Sequence, residues 1–298
     1  MKLTVANLDT YRALEQLGTA LTPEMVQGTL AAYADLVEEP TPELCTVARD
    51  LSYGPDPRHR LDIFTPVEQS AAAASVLLFV HGGGFVRGDK GGPEDPFYNN
   101  VGAWATQRGL VGVTMTYRLA PDAQWPAGSA DVALALEWLA EHVGRFGGDP
   151  GQIFVMGQSA GAVHVAGYLA GHHGSAGGTR VAGAIMVSGL YDLTSFEHSP
   201  FEDAYFGTDP ARFAAQSSLE GLLRTSVPCL YAVAELDSPF FQRQAAELVQ
   251  AHLAARGRWP RMLYLPLHNH ISTVVQLGAP GDTLGRDLHT FILHRAAG

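Results

Sequence analysis

The feature that most constrains the fold is a repeated alternation, from Cys45 onward, of short apolar runs with longer helical patterns. The runs are rich in Val, Leu, Ile and Phe. This alternation predicts an α/β fold, with a mostly parallel eight-stranded sheet and helices on both of its faces. The predicted strands are 45–52, 59–64, 75–81, 110–117, 152–157, 182–188, 229–235 and 261–266. The predicted helices are 95–108, 128–145, 160–171, 239–256 and 284–296.

The first two strands depart from the parallel order. Only residues 54–58 separate them, which is too short for a crossover helix, so they should pair antiparallel. The later strands should be parallel.

Two segments do not follow the alternation. Residues 1–40 carry a helical pattern near 23–37 that ends at Pro40-Thr41-Pro42, and residues 193–225 are rich in Phe and Ser. Both occur where a lid could cover the carboxyl edge of the sheet. We expect a single domain over residues 1–298, with 1–40 and 193–225 as cap segments. The alternative is that they are surface loops and a packing arm.

Charge and cysteine content limit the partners. The formal net charge is −11 and the 19 Lys and Arg are scattered, so the chain should repel phosphate backbones and anionic membrane surfaces. We therefore expect no nucleic-acid partner. The two cysteines, Cys45 and Cys229, lie far apart without metal-ligand spacing, which predicts no metal site and a reducing, cytoplasmic location.

The sequence shows neither a signal-peptide pattern nor a membrane-spanning pattern. Residues 1–10 lack the basic start and apolar core of a signal peptide, and no apolar stretch approaches the length that spans a bilayer. We expect no membrane association. The sequence leaves a homo-oligomer open.

A candidate nucleophile lies between a predicted strand and a predicted helix. The segment Gly157-Gln158-Ser159-Ala160-Gly161 follows an apolar strand, which is the context of a nucleophile elbow. Small neighbours are needed because the serine occupies a strained, sharp turn. The start of the following helix favours negative charge as it develops. Ser159 is therefore the predicted nucleophile.

A glycine-rich loop follows another apolar strand. In His81-Gly82-Gly83-Gly84-Phe85, three consecutive glycines let backbone N–H groups approach a ligand without side-chain obstruction. A flexible turn is the alternative interpretation. The preceding strand and the accompanying elbow favour an oxyanion-binding loop.

The acid and the base should follow the serine in chain order. Asp237 lies past the end of a strand and just before Ser238-Pro239, which favours it over Glu235, still at the strand end with a buried or capping role. Asp192 is a third candidate. The base should be His268 or His270, because an imidazole can accept the serine proton near neutral pH and return it to the leaving group.

Together these motifs give the chain a family resemblance over residues 45–295. It resembles the bacterial branch of the hormone-sensitive-lipase-like carboxylesterases, which have the α/β-hydrolase fold. The resemblance rests on the elbow, the glycine loop and three further segments: Tyr117-Arg118-Leu119-Ala120-Pro121, Glu235-Leu236-Asp237-Ser238-Pro239 and His270.

The resemblance implies a role for each site residue. Asp237 would be the orienting acid and His270 the base, while Gly83, Gly84 and Ala160 would supply oxyanion N–H groups. His81 would brace the glycine loop. Aromatic residues that adjoin these motifs are expected near the substrate pocket: Phe85, Trp125, Tyr191 and Phe240.

The implied activity is hydrolysis of a small-molecule carboxylic ester through an acyl-enzyme at Ser159, without a metal or organic cofactor. One departure keeps an amidase or arylformamidase open: His270 is preceded by a second histidine and followed by Ile271-Ser272, an ending similar to that of formamidases. A third alternative is a non-catalytic, ligand-binding homologue. The presence of candidates for nucleophile, acid and base argues against it.

Overall fold

The computed structural model describes residues 5–37, 39–68, 72–174, 181–196 and 198–296. Residues 1–4 and Glu38 of the predicted cap segment 1–40, and Glu197 of the segment 193–225, lie outside these ranges.

The described residues form a single sheet of eight strands, in the order β1-β2-β4-β3-β5-β6-β7-β8. The strands are β1 Cys45–Ser52, β2 Arg60–Pro66, β3 Ala74–Val80, β4 Val111–Met115, β5 Gly148–Gln158, β6 Gly183–Val187, β7 Cys229–Leu236 and β8 Met262–Asn269. Strand β2 pairs antiparallel with both β1 and β4, and the pairs from β4 to β8 are parallel. The predicted fold class and the antiparallel first pair are confirmed.

The helices are α1 Val5–Leu17, α2 Pro23–Ala34, α3 Pro96–Thr106, α4 Ala127–His142, α5 Ala160–Leu169, α6 Pro200–Phe206, α7 Pro210–Gln216, α8 Leu219–Arg224, α9 Pro239–Arg256, α10 Ser272–Val275 and α11 Gly285–Ala296. Every predicted strand and helix is present, with ends that differ by at most four residues. Helices α1, α6, α7, α8 and α10 were not predicted. Strand β5 begins four residues early because Gly148 pairs with Ala74 across a register shift.

Alternate residues of the central strands point to opposite faces of the sheet. In β3, Leu78 packs in the cluster formed with α4 and α5, whereas Leu77 and Phe79 pack in the cluster formed with α1, α3 and α11. This alternation is the two-residue period of a strand. The sheet is therefore covered on both faces, as a parallel sheet requires.

The segment 1–40 has two structural roles. Tyr11 and Leu14 of α1, with Tyr33 of α2, are buried in the core on the α11 face of the sheet. Between them, Leu21 and Val26 lie at the cavity described below. This segment thus packs against a sheet face and also reaches the carboxyl edge of the sheet.

Helices α6 to α8 fill most of the segment 193–225. Helix α6 begins with Pro200 after Ser199, which caps it together with Glu202, and α7 begins with Pro210 after its cap Asp209. These helices have only 7, 7 and 6 residues, which is too short to give a periodic apolar pattern in the sequence. No helix among the described residues is long and apolar enough to cross a bilayer.

Candidate active site

Ser159 lies at the sharp turn between β5 and α5. Its backbone has φ 55° and ψ −123°, an unusual conformation for a residue with a side chain. A Cβ on Gly157 would overlap the carbonyl of Gly161, and a Cβ on Gly161 would overlap the carbonyl of Val80 at the end of β3. The two glycines are therefore required by the close approach of α5 to the sheet.

His270 is oriented by Asp237. Its Nδ1 donates to Asp237 Oδ1 at 2.6 Å, and both side chains are buried. Because a carboxylate can only accept, Nδ1 carries a proton, and in the neutral imidazole Nε2 is then the acceptor. This Nε2 is buried and has no hydrogen-bond partner among the described residues. Ser159 and His270 line the same cavity, so Nε2 is available to a group bound beside the serine.

Further contacts fix the histidine. Its ring stacks on Phe241 with centroids 4.2 Å apart. Its carbonyl accepts hydrogen bonds from Gln158 Nε2 at 2.9 Å and from Thr273 Oγ1 at 2.9 Å. Since Gln158 directly precedes Ser159, it ties the nucleophile turn to the histidine loop.

Asp237 is held by groups that the sequence did not predict. Its Oδ2 accepts from Ser188 Oγ at 2.6 Å and from the Ala234 N–H at 2.8 Å. Ser188 directly follows β6 and is buried. Only the strand order could have indicated this contact. Because β6 and β7 are neighbours, a polar residue directly after β6 lies beside the turn that follows β7.

The other candidates for acid and base lie elsewhere. Glu235 Oε2 accepts from the Leu267 N–H at 2.6 Å, and Asp192 Oδ1 accepts from the backbone N–H of Thr194. His268 contacts Ser272 Oγ at 3.1 Å and meets Tyr11 edge-on, on the α1 side of the sheet. Burial lowers the pKa of His268 to about 4. The structure brings together Ser159, Asp237 and His270, and none of these alternatives.

His81 braces the glycine loop. Its Nδ1 donates to the Gly82 carbonyl at 2.6 Å, and its ring stacks on Tyr117 with centroids 4.3 Å apart. The Tyr117 hydroxyl in turn donates to the His81 carbonyl at 3.0 Å. Burial lowers the pKa of His81 to about 4, so it is neutral near pH 7.

The glycine loop exposes backbone donors. Gly83 has φ +126°, a conformation that favours glycine. Within the described ranges, the N–H groups of Gly83, Gly84 and Ala160 have no hydrogen-bond acceptor. All three residues line the cavity that contains Ser159, so these N–H groups are available to a bound ligand.

The cavity at the carboxyl edge of the sheet has a volume of about 730 Å³. Its wall is mostly apolar and includes Phe85 and Phe240, two of the four aromatic residues named from the sequence. The predictions for Trp125 and Tyr191 are corrected, because neither is among the described residues that line it. Trp125 contacts His172 edge-on, and the Tyr191 ring packs edge-on against Tyr231 in the buried core.

Comparison with known proteins identifies the family. Residues 77–258 match the family model described as the alpha/beta hydrolase fold, and the chain belongs to this family. It is 32% identical over 161 residues to a probable isoprenylcysteine alpha-carbonyl methylesterase of Arabidopsis thaliana, covering 54% of this chain and 30% of that protein. It is 34% identical over 131 residues to the esterase LipC of Mycobacterium tuberculosis, covering 41% and 32%.

The matches to these two relatives cover only about a third of each relative's length. Among solved structures, a phosphonate-inhibited esterase B of Lactobacillus rhamnosis superposes with a TM-score of 0.76 at 17% identity, over 100% of this chain and 97% of that one. A hyperthermophilic esterase of Pyrobaculum calidifontis gives 0.72 at 20% identity, over 100% of both chains. These structures share the fold of this chain.

A substitution of Ser188 tests how much its hydrogen bond to Asp237 contributes to activity. We expect Ser188→Ala to lower kcat for ester hydrolysis about tenfold, because a buried carboxylate that loses a hydrogen bond positions and stabilises the histidine less well. KM should change little, since Ser188 does not line the cavity. Steady-state kinetics on a chromogenic ester measures both constants.

Glu235→Gln is the matched control, because glutamine can still accept from Leu267 and the described hydrogen bonds of the Asp237 carboxylate do not include Glu235. Its kcat should stay within about twofold of the wild type. An unchanged kcat in Ser188→Ala, or an equal loss in Glu235→Gln, would contradict this interpretation of the site.

Proposed function

We propose that this protein is a serine carboxylesterase that hydrolyses small-molecule esters through an acyl-enzyme at Ser159. The observation that carries the proposal is the unpartnered Nε2 of His270, fixed by Asp237 at the cavity that Ser159 also lines. A neutral imidazole in that position is the general base that a serine nucleophile needs.

The reaction would begin as His270 Nε2 takes the proton of the Ser159 hydroxyl while Oγ attacks the ester carbonyl carbon. Negative charge then develops on the carbonyl oxygen, which the N–H groups of Gly83, Gly84 and Ala160 would stabilise. Asp237 would stabilise the imidazolium, which then gives its proton to the departing alcohol. Water, activated by the same histidine, would release the acid and regenerate the serine.

The relatives support ester chemistry. Those named above are called a methylesterase and an esterase, and the two solved structures are of esterases. The apolar cavity wall suits a substrate with apolar acyl or alcohol parts.

The amidase alternative has lost its main support. It rested on the His268-x-His270-x-Ser272 ending, and His268 pairs with Ser272 on the α1 side of the sheet. These two residues thus have a structural role that needs no second activity.

We also propose a cytoplasmic location and no nucleic-acid partner. The support is the pair of free cysteines, Cys45 and Cys229, and the net charge of −11.

The direct test replaces the nucleophile. We expect Ser159→Ala to lower kcat/KM for 4-nitrophenyl butyrate at least about a thousandfold, because only binding and oxyanion contributions remain. Ser238→Ala, which changes another serine of the cavity wall, should cost less than about tenfold. The wild type should hydrolyse the ester much faster than 4-nitrobutyranilide. Near-normal activity of Ser159→Ala would refute the proposal, and preferred cleavage of the anilide would favour an amidase.

We further propose that the segments 1–40 and 193–225 cap the cavity. Leu21 and Val26 come from the first segment and Phe201 from the second, and all three line it. The second segment also packs on the glycine loop, where Tyr205 stacks on Phe85 with centroids 4.7 Å apart. Such a cap would hold the acyl chain and exclude water.

A substitution in α2 tests this role. Val26→Phe fills part of the cavity, so we expect kcat/KM for an octanoyl ester to fall about tenfold relative to the acetyl ester. Ala31→Phe adds the same ring at an exposed position of the same helix and should leave the acyl-length profile unchanged. Deleting 1–40 is a poorer test, because it also removes Tyr11 and Leu14 from the core. An unchanged profile in Val26→Phe would contradict the cap.

A further inference from the structure

Arg87 brings a positive charge to the cavity wall. Its backbone N–H donates to the Gly83 carbonyl at 3.3 Å, and its guanidinium carbon lies 5.3 Å from the centroid of the Phe201 ring. Gly83 and Phe201 line the cavity together with Arg87. The backbone of Arg87 is thus held by the glycine loop, and its head group rests on the segment 193–225.

The charges around the cavity are few. Besides Arg87, the lining side chains that can be charged near neutral pH are Glu202 and His270. The Oε2 of Glu202 accepts hydrogen bonds from the backbone N–H and the hydroxyl of Ser199, so its charge is already stabilised within the protein. Arg87, in contrast, forms no ion pair within the described ranges.

An exposed guanidinium beside an apolar pocket is suited to an anion. Its planar fork matches the two oxygens of a carboxylate, and the contact with Phe201 keeps it at the wall. A neutral ester gains little from this charge. With a net charge of −11, the chain as a whole repels anions, so a local cation is needed to bind one.

We propose that the cavity takes esters that carry a carboxylate on their acyl or alcohol part, and that Arg87 binds this carboxylate. This inference rests on the proposed esterase function and names its substrate class. Arg87 would act in specificity, without a part in the bond-breaking steps.

The test uses two matched pairs of esters in which a carboxylate is replaced by an isopropyl group of similar shape. For the alcohol part, the pair is 4-carboxyphenyl butyrate and 4-isopropylphenyl butyrate. For the acyl part, it is the monophenyl ester of adipic acid and phenyl 6-methylheptanoate. The measured quantity is the ratio of kcat/KM for the anionic ester to that for the neutral one. Intrinsic reactivity cancels when this ratio is compared between variants.

We expect Arg87→Met to lower this ratio about five- to tenfold for at least one pair, and the pair that responds identifies where the carboxylate lies. Arg87→Lys should retain part of the preference. Added salt should lower the ratio of the wild type relative to that of Arg87→Met, because the Arg87 charge is screened in the wild type alone, whereas the overall negative charge is screened in both.

Arg243→Met is the control, because it removes the same charge from an exposed position on α9 outside the cavity wall. Its ratio should match that of the wild type. The inference is overturned if Arg87→Met leaves both ratios unchanged, or if Arg243→Met lowers them equally. If the wild type hydrolyses none of the four esters, the proposed function itself fails. If the neutral esters are hydrolysed and the ratios are the same in Arg87→Met as in the wild type, only this inference fails.

Discussion

The close packing of the Ser159 turn against β3 is the constraint on which the site depends. Gly161 approaches the Val80 carbonyl so closely that no side chain fits between them, and Gly157 is packed as tightly against Gly161. Because the chain continues from Val80 through His81 into the glycine loop, the same contact sets the position of the serine relative to the loop amides. The strain at Ser159 is offset by the packing of α5 and by the hydrogen bond from its N–H to the Val187 carbonyl.

The remaining members of the site are joined to this turn by buried hydrogen bonds. Ser188 donates a hydrogen bond to Asp237, and Asp237 orients His270. Gln158, the residue before Ser159, donates a hydrogen bond to the His270 carbonyl and so links the histidine to the serine turn. Each partner lies at the carboxyl end of a strand, and the parallel strands β5 to β8 bring those ends to one edge. In a buried setting such bonds are stronger than in water, and an unpaired member costs correspondingly more. The fold thus supplies orientation for the nucleophile and the base in advance of substrate binding.

Much of this arrangement could be predicted from the sequence because it depends on local patterns. Buried strands give apolar runs, and Gly157 follows from a local backbone conflict, because a Cβ there would meet the Gly161 carbonyl. Gly161 is required by the distant Val80 of β3, but its spacing from Ser159 is visible along the chain. Ser188 could not be found in this way, since its contact with Asp237 depends on β6 and β7 being neighbours. Tyr191 adjoins a strand end in sequence, yet its ring turns into the core against Tyr231, a direction that adjacency does not specify. The short helices α6 and α7 have only one or two turns, too few for a periodic signal, although Ser199-Pro200 and Asp209-Pro210 are starts typical of helices.

The central claim is that Ser159 is the activated nucleophile of this cavity. Incubation with a small activated phosphonate ester, followed by intact-mass measurement and peptide mapping, tests it most directly, because the reagent reports nucleophilic attack independently of the natural substrate. We expect one adduct per chain, located on Ser159, and a much slower reaction when Asp237 is changed to Asn, since the histidine then loses its orienting carboxylate. Absence of an adduct on the folded wild-type protein, or an adduct on Ser188, Ser199 or Ser238 in place of Ser159, would contradict the account.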